Sequence, residues 1–160
     1  MEQIFESERI RFVAVSELLI KDYLVMVNDM ERVERFLGGA HEPFTAEQER
    51  AWVQKTLAEK APVFSMLEKD GGGFIGNIEL MDVKDAAAEL GIAITGDKQN
   101  LGYGTEAVIA LSAYGRDRLG LKRLFLRTDP GNLRAIRVYE KCGFRISART
   151  EKDVFMELAL

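Results

Sequence analysis

Gln99-Asn100-Leu101-Gly102-Tyr103-Gly104 stands between an apolar run, Leu90 to Ile94, and a helical stretch that opens at Thr105. A strand, a glycine-bearing loop and a helix in that order constrain both the backbone and what it can bind. Glycine lets the chain turn tightly and pass close to a ligand. The first N–H groups of a helix lack internal partners and, with the helix dipole, favour an anion. The segment reads as a cradle for a phosphorylated cofactor; the plain alternative is an ordinary tight turn.

The rest of the chain arranges itself around that unit. Glu8 to Val15 reads as a first strand, and Ser16 as the cap of a helix with Leu18, Leu19, Tyr23, Val25, Met26 and Val27 on its apolar faces. Asn28 to Phe36 reads as a short second helix ended by Gly38-Gly39. Thr45-Ala46-Glu47-Gln48 matches a capping box and opens a helix to about Lys60, with Ala51, Trp52, Thr56 and Leu57 inward. Val63 to Glu68 and Phe74 to Met81 form a hairpin across Asp70-Gly71-Gly72-Gly73. Asp82 to Ala87 is a turn and Glu89 to Thr95 a strand, followed by the glycine loop and a long helix that Gly120 caps. Lys122 to Thr128 is the next strand, broken by Asp129-Pro130-Gly131. A helix from Asn132 or Leu133 to Cys142-Gly143 and a closing strand pair, Phe144 to Thr150 and Val154 to Leu160, complete a mixed α/β chain around one sheet.

Composition removes several classes of function. At 160 residues the chain reads as one domain, and 47% hydrophobic content suits a packed core. A net charge of −4 without any basic block argues against nucleic acid or an anionic membrane as partner. The one cysteine, Cys142, forms no intrachain disulfide, and the one histidine, His41, makes no metal cluster. No apolar run approaches the ~20 residues that span a membrane, and the N-terminus lacks the pattern of a signal peptide. These features fit a soluble, cytoplasmic protein. Dimerisation through a strand edge or the helices is left open.

Gly102-Tyr103-Gly104-Thr105-Glu106-Ala107 also fits the dinucleotide pattern G-x-G-x-x-A, but its context is wrong. In that fold the first glycine follows the strand end almost at once, whereas six residues, Gly96 to Leu101, intervene here. Asp129 lies 27 residues after Gly102, beyond the ~20 of a ribose-binding acid. No Gly-Lys-Ser/Thr follows the glycines, so the P-loop fails too. A second block decides between ligands. Asn132-Leu133-Arg134-Ala135-Ile136-Arg137-Val138-Tyr139-Glu140-Lys141-Cys142-Gly143-Phe144, taken with the Q-x-x-G-x-G block about 30 residues before it, resembles the GNAT superfamily of N-acetyltransferases. Ala88-Glu89-Leu90-Gly91-Ile92 resembles the family's strand before the loop. The likeness runs from about Phe74 to Ile146. Within the superfamily, Glu8 to Asn28 and the A-E-L-G strand, Ala88 to Gly91, resemble the ribosomal-protein N-terminal and spermidine acetyltransferase branch.

The resemblance implies a mostly antiparallel central sheet of about six to seven strands flanked by helices, with a splayed cofactor groove, and acetyl-CoA as acetyl donor without a metal. Backbone amides of Leu101, Gly102, Tyr103, Gly104 and Thr105 would hold the pyrophosphate, with the Gln99 side chain nearby. Ile92, Ala93 and Ile94 would offer backbone groups to the pantetheine arm, and Asn132 would bond that arm or brace the neighbouring loop. An alkyl amine with a pKa of about 10.4 must lose a proton before it attacks, and the departing thiolate can gain one. Tyr139, at the family's tyrosine position, is the candidate acid; its alternative is a core aromatic. Glu89 is the candidate base, with Glu79 as rival, and either reads equally as a solvated strand residue. Backbone donors near Ile92 are placed to polarise the thioester carbonyl. Cys142 reads as a small buried hydrophobe rather than an acetyl-cysteine carrier. His41 reads as a surface histidine, Trp52 and Phe36 as core more than pocket wall, and Glu31 and Glu34 as a solvated face or an attraction for a cationic acceptor. The expected activity is acetyl transfer to a primary amine: a polyamine, amino sugar, aminoglycoside or protein N-terminus. The competing reading is a CoA-binding module without catalysis.

Overall fold

A computed structural model describes residues 1–33 and 39–160. Among them eight strands form one open sheet: β1 (Gln3–Glu6), β2 (Ile10–Ala14), β3 (Val63–Glu68), β4 (Phe74–Lys84), β5 (Ala87–Ile94), β6 (Arg123–Thr128), β7 (Arg145–Arg149) and β8 (Val154–Ala159). Their spatial order is β1-β2-β3-β4-β5-β6-β8-β7. Helices α1 (Ile20–Val27) and α2 (Ala46–Glu59) cover one face, and α3 (Tyr103–Leu119) and α4 (Leu133–Lys141) the other.

Every strand pair is antiparallel except β5 and β6, which α3 joins as the crossover a parallel pair requires. Their pairing runs only from Ala87↔Arg123 to Glu89↔Phe125. Among the described residues no strand pairs with that edge of β5 from Leu90 onward, so the sheet splits where the cofactor groove was expected.

The faces follow the period-2 rule of strands. Ile10, Phe12, Met66, Ile78, Leu80, Leu90 and Leu124 pack on Ala107, Val108 and Leu111 of α3 and on Ile136 and Tyr139 of α4. Val13, Val63, Leu67 and Phe74 pack on Ile20, Tyr23 and Met26 of α1 and Val53 of α2. Glu79 lies opposite Val63 and Gly91, and Glu89 opposite Met81, so both glutamates project toward the α1/α2 face.

Four local expectations need correction. The first strand is a hairpin of two, because Gln3–Glu6 pairs with β2. That four-residue strand shows no alternation in sequence; its place is fixed from outside by Phe5, which stacks on Phe12 at 4.2 Å and on Tyr114 of α3 at 4.5 Å. The turn after β4 shrinks to Asp85-Ala86, both at positive φ, the hairpin turn whose twist matches its strands. The inward row of α2 is Glu49, Val53 and Thr56, at helical spacing, while Ala51 and Leu57 are exposed. Of the helix expected over Asn28 to Phe36, residues 28–33 form turns; Glu34, Phe36 and Gly38 lie outside the described residues. The caps at Ser16, Thr45 and Gly120 form as their residue types dictate.

Candidate active site

The glycine loop delivers its amides to one place. Thr95 to Lys98 make a single 3-10 turn, Asn100 adopts φ +62° and Gly102 φ +84°, and α3 then begins at Tyr103. Helical bonding starts with Glu106 N–H to the Gly102 carbonyl at 3.2 Å, which leaves the amides of Tyr103, Gly104 and Thr105 ahead of the ladder. Gly102 is a glycine for backbone reasons, since its φ disfavours any side chain. Gly104 is not. A Cβ there would meet nothing closer than Val138 Cγ1 at 3.6 Å, an ordinary contact. The fold tolerates a side chain at Gly104, so the bare α-carbon leaves room for something outside the protein.

The loop is braced from three directions. Arg9 of the β1–β2 turn bonds Glu106 Oε2 through Nε at 2.7 Å and the Leu101 carbonyl through Nη1 at 3.0 Å, and lies over the Tyr103 ring. Tyr103 Oη donates to Glu68 at 2.7 Å, and Lys98 Nζ pairs with the same carboxylate at 2.9 Å; together they hold Glu68 below the usual carboxylate range. Gln99 Nε2 donates to the carbonyls of Arg32 and Ile94 at 2.8 and 3.0 Å. Gln99 thus ties the loop to β5, and the Ile94 carbonyl is already engaged. Sequence reading overlooked Arg9, which lies in a turn far from the motif. Arg9→Ala should raise the acetyl-CoA KM several-fold with little change in kcat; an unaltered KM would show that the loop holds its own shape.

A cavity of about 960 Å³ runs from this loop through the β5–β6 split to the α1/α2 face. Leu90 to Ile94, Gln99, Gly102 to Thr105, Asn132 and Tyr139 line it at the loop end; Leu101 is exposed beside it. Asn132 Oδ1 caps α4 by accepting from Ala135 N–H at 3.3 Å, so this side chain braces the helix. Tyr139 is buried against Phe144 yet reaches the cavity, and burial pushes its phenol up to about 12. Cys142 packs into the core with its thiol pushed up by burial to about 11, which fits a small hydrophobe rather than a nucleophile.

The other end of the cavity is acidic and apolar together. Its floor carries Asn77, Glu79, Met81 and Glu89, and its roof Met26, Phe44, Gln48, Glu49 and Trp52. Burial, and then the charge of Glu89, push the Glu79 carboxyl up. Burial alone pushes Glu49 up. Asn77 is positioned by a chain from Tyr23 Oη to Ser65 Oγ at 2.6 Å and from Ser65 Oγ to Asn77 Oδ1 at 2.8 Å. His41 is not among the lining residues; its ring lies on Phe44, which is. Glu31 lines a smaller recess beside Gln99 and Asn132. Sequence reading missed Glu49, whose signal is its place in the 49, 53, 56 row of α2. Among the described residues no group of His, Cys, Asp and Glu could hold a metal, and no helix is long and apolar enough to cross a membrane.

A family model described as an acetyltransferase (GNAT) domain matches residues 9–145, which contain both the glycine loop and the Asn132–Phe144 segment. The chain belongs to the GNAT acetyltransferase family. It is 31% identical over 103 residues to the uncharacterized N-acetyltransferase YnaD of Bacillus subtilis, covering 64% of this chain and 61% of that protein. It is 31% identical over 83 residues to spermidine N(1)-acetyltransferase of Escherichia coli, covering 51% of this chain and 45% of the relative. The match therefore spans less than two thirds of each curated relative's length. The crystal structure of a GNAT-family acetyltransferase from Bacillus anthracis shares the fold, with a TM-score of 0.84 over 96% of both chains at 20% identity. For a GNAT chain the donor implied is acetyl-CoA. The residues present fit it: an amide cradle at a helix start, an α-carbon at Gly104 bare without need, and an unpaired strand edge leading inward.

Proposed function

We propose that this GNAT chain, as one domain over its 160 residues, transfers acetyl from acetyl-CoA to a primary amine by direct attack in a ternary complex. One observation carries the reading: a single cavity joins the amide cradle, the β5–β6 split and a pair of carboxylates. Bound acetyl-CoA supplies an activated thioester. The amides of Gly102 to Thr105 would hold its pyrophosphate and the free edge of β5 from Leu90 to Ala93 would face the pantetheine arm, while Asn132 caps α4 and Gln99 ties the loop to β5. Tyr139 holds its proton at neutral pH and is the acid available to the leaving sulfur.

The base is the Glu79–Glu89 pair rather than Glu89 alone. The carboxyls share a face on neighbouring strands, and the charge of Glu89 adds to burial in pushing the Glu79 carboxyl up. Glu79, raised toward the working pH, is the better proton acceptor, and Glu89 holds the second negative charge beside the cationic amine. The base works when deprotonated, so kcat at saturating amine should rise through an acid limb above the ordinary carboxylate range. Removing the Glu89 charge by Glu89→Gln should move that limb to lower pH, and Glu79→Gln should abolish it. A limb that stays in place in both variants would clear the pair of this role.

The relative named for spermidine, a polyamine, supports an amine acceptor. The deciding experiment is thiol release from acetyl-CoA across polyamines, aminoglycosides, amino sugars and N-terminal peptides, with thermal shift by CoA and NAD alongside. Release with one amine class supports the transferase. A CoA shift with no release on any acceptor favours the non-catalytic module. A shift with NAD alone overturns the cradle.

A further inference from the structure

Glu49 is the cleft carboxylate that acetyl transfer does not require. It is 8% exposed and lines the cavity, yet it forms no hydrogen bond or ion pair with a described residue. Nearby on this face Tyr23, Ser65 and Asn77 are engaged with one another in a chain. Its carboxyl oxygens are not sealed in the core but open to the cavity, and the burial around them disfavours the charged form unless a cation comes to it. Among the described residues no neighbouring charge shifts it, which sets it apart from Glu79, where the charge of Glu89 adds to burial. The cavity thus holds two anionic points, Glu79 with Glu89 below and Glu49 above. The same cavity is lined by Met26, Met81 and Trp52. An alkyl chain suits those side chains, and an indole attracts a cation passing near its face.

We propose that Glu49 is a specificity residue that receives the non-reacting ammonium of a dicationic alkyl acceptor, so that the site prefers a diamine or longer polyamine to a monoamine. The inference rests on the acetyl-transfer reading for which amine end reacts, but its test does not depend on turnover.

Putrescine and butylamine share a chain length and differ by one ammonium. Each is titrated calorimetrically into the protein–CoA complex, wild type and Glu49→Gln. The wild type should bind putrescine roughly tenfold or more tightly than butylamine, the worth of one charged hydrogen bond. Glu49→Gln should remove most of that difference. It is isosteric and removes an unpaired buried charge, so its melting temperature should not fall; Glu49→Ala serves as a second variant. Equal affinities in the wild type, or a preference that survives in both variants, would overturn the proposal. If the preference depends on Glu49 but no amine yields free thiol, the transferase reading fails and this subsite stands.

Discussion

Tyr139→Phe is expected to lower kcat by roughly 100-fold, the lower range for loss of a positioned general acid, with CoA affinity nearly unchanged. The geometry makes this a clean test. The ring is buried among α4 and core residues and packs on Phe144, contacts that phenylalanine retains. The hydroxyl donates to no other described residue, so its removal strands no partner. What disappears is one proton at the cavity wall, held by a phenol pushed up to about 12. That value lies well above neutral pH, so the group is fully protonated in the resting enzyme. The acid itself should impose no alkaline limb on kcat below pH 10. Single-turnover and steady-state rates, with CoA affinity by calorimetry, check the expectation. An unchanged kcat in the folded variant would leave Tyr139 a core aromatic.

The backbone of the glycine loop was legible in sequence because it is local. The loop's amides, the φ of Gly102 and the start of α3 are set by residues 99 to 106, and glycine with helix-start chemistry is visible in such a window. The split between β5 and β6 was legible only through the family resemblance, because it depends on where a parallel pairing ends. The end of the cavity under α1 and α2 was not legible. Glu49 looks like any helix-surface glutamate, and its burial depends on α2 settling beside α1 with the row 49, 53, 56 inward and Val53 in the core of that face. The low contrast between the faces of α2 is what misdirected the expectation toward Ala51 and Leu57. Arg9 was hidden for a similar reason: its tie to Glu106 crosses 97 positions and exists only once β1 and β2 fold beside α3. Glu49 leaves only the faint helical spacing of the 49, 53, 56 row as a local trace, and Arg9 leaves none.

Gly104→Val should weaken CoA binding roughly 10- to 100-fold, the penalty of forcing two methyl groups into a tightly filled contact. The companion Gly104→Ala separates binding from folding. Gly104 lies inside the first turn of α3, where alanine is favoured over glycine by about 0.5–1 kcal/mol, and the new methyl would meet Val138 Cγ1 at a comfortable 3.6 Å. Alanine should therefore raise the melting temperature by a few degrees while lowering CoA affinity. Stability and binding move in opposite directions only if the site was left bare for a ligand. A general packing role would make them fall together, as expected at Gly102, where φ +84° penalises any side chain whether or not a ligand is bound. Melting curves and CoA titration of Gly104→Ala, Gly104→Val and Gly102→Val decide the matter. Unchanged CoA affinity in a stabilised Gly104→Ala and a folded Gly104→Val would remove the phosphate cradle from this loop, and the acetyl-CoA groove with it.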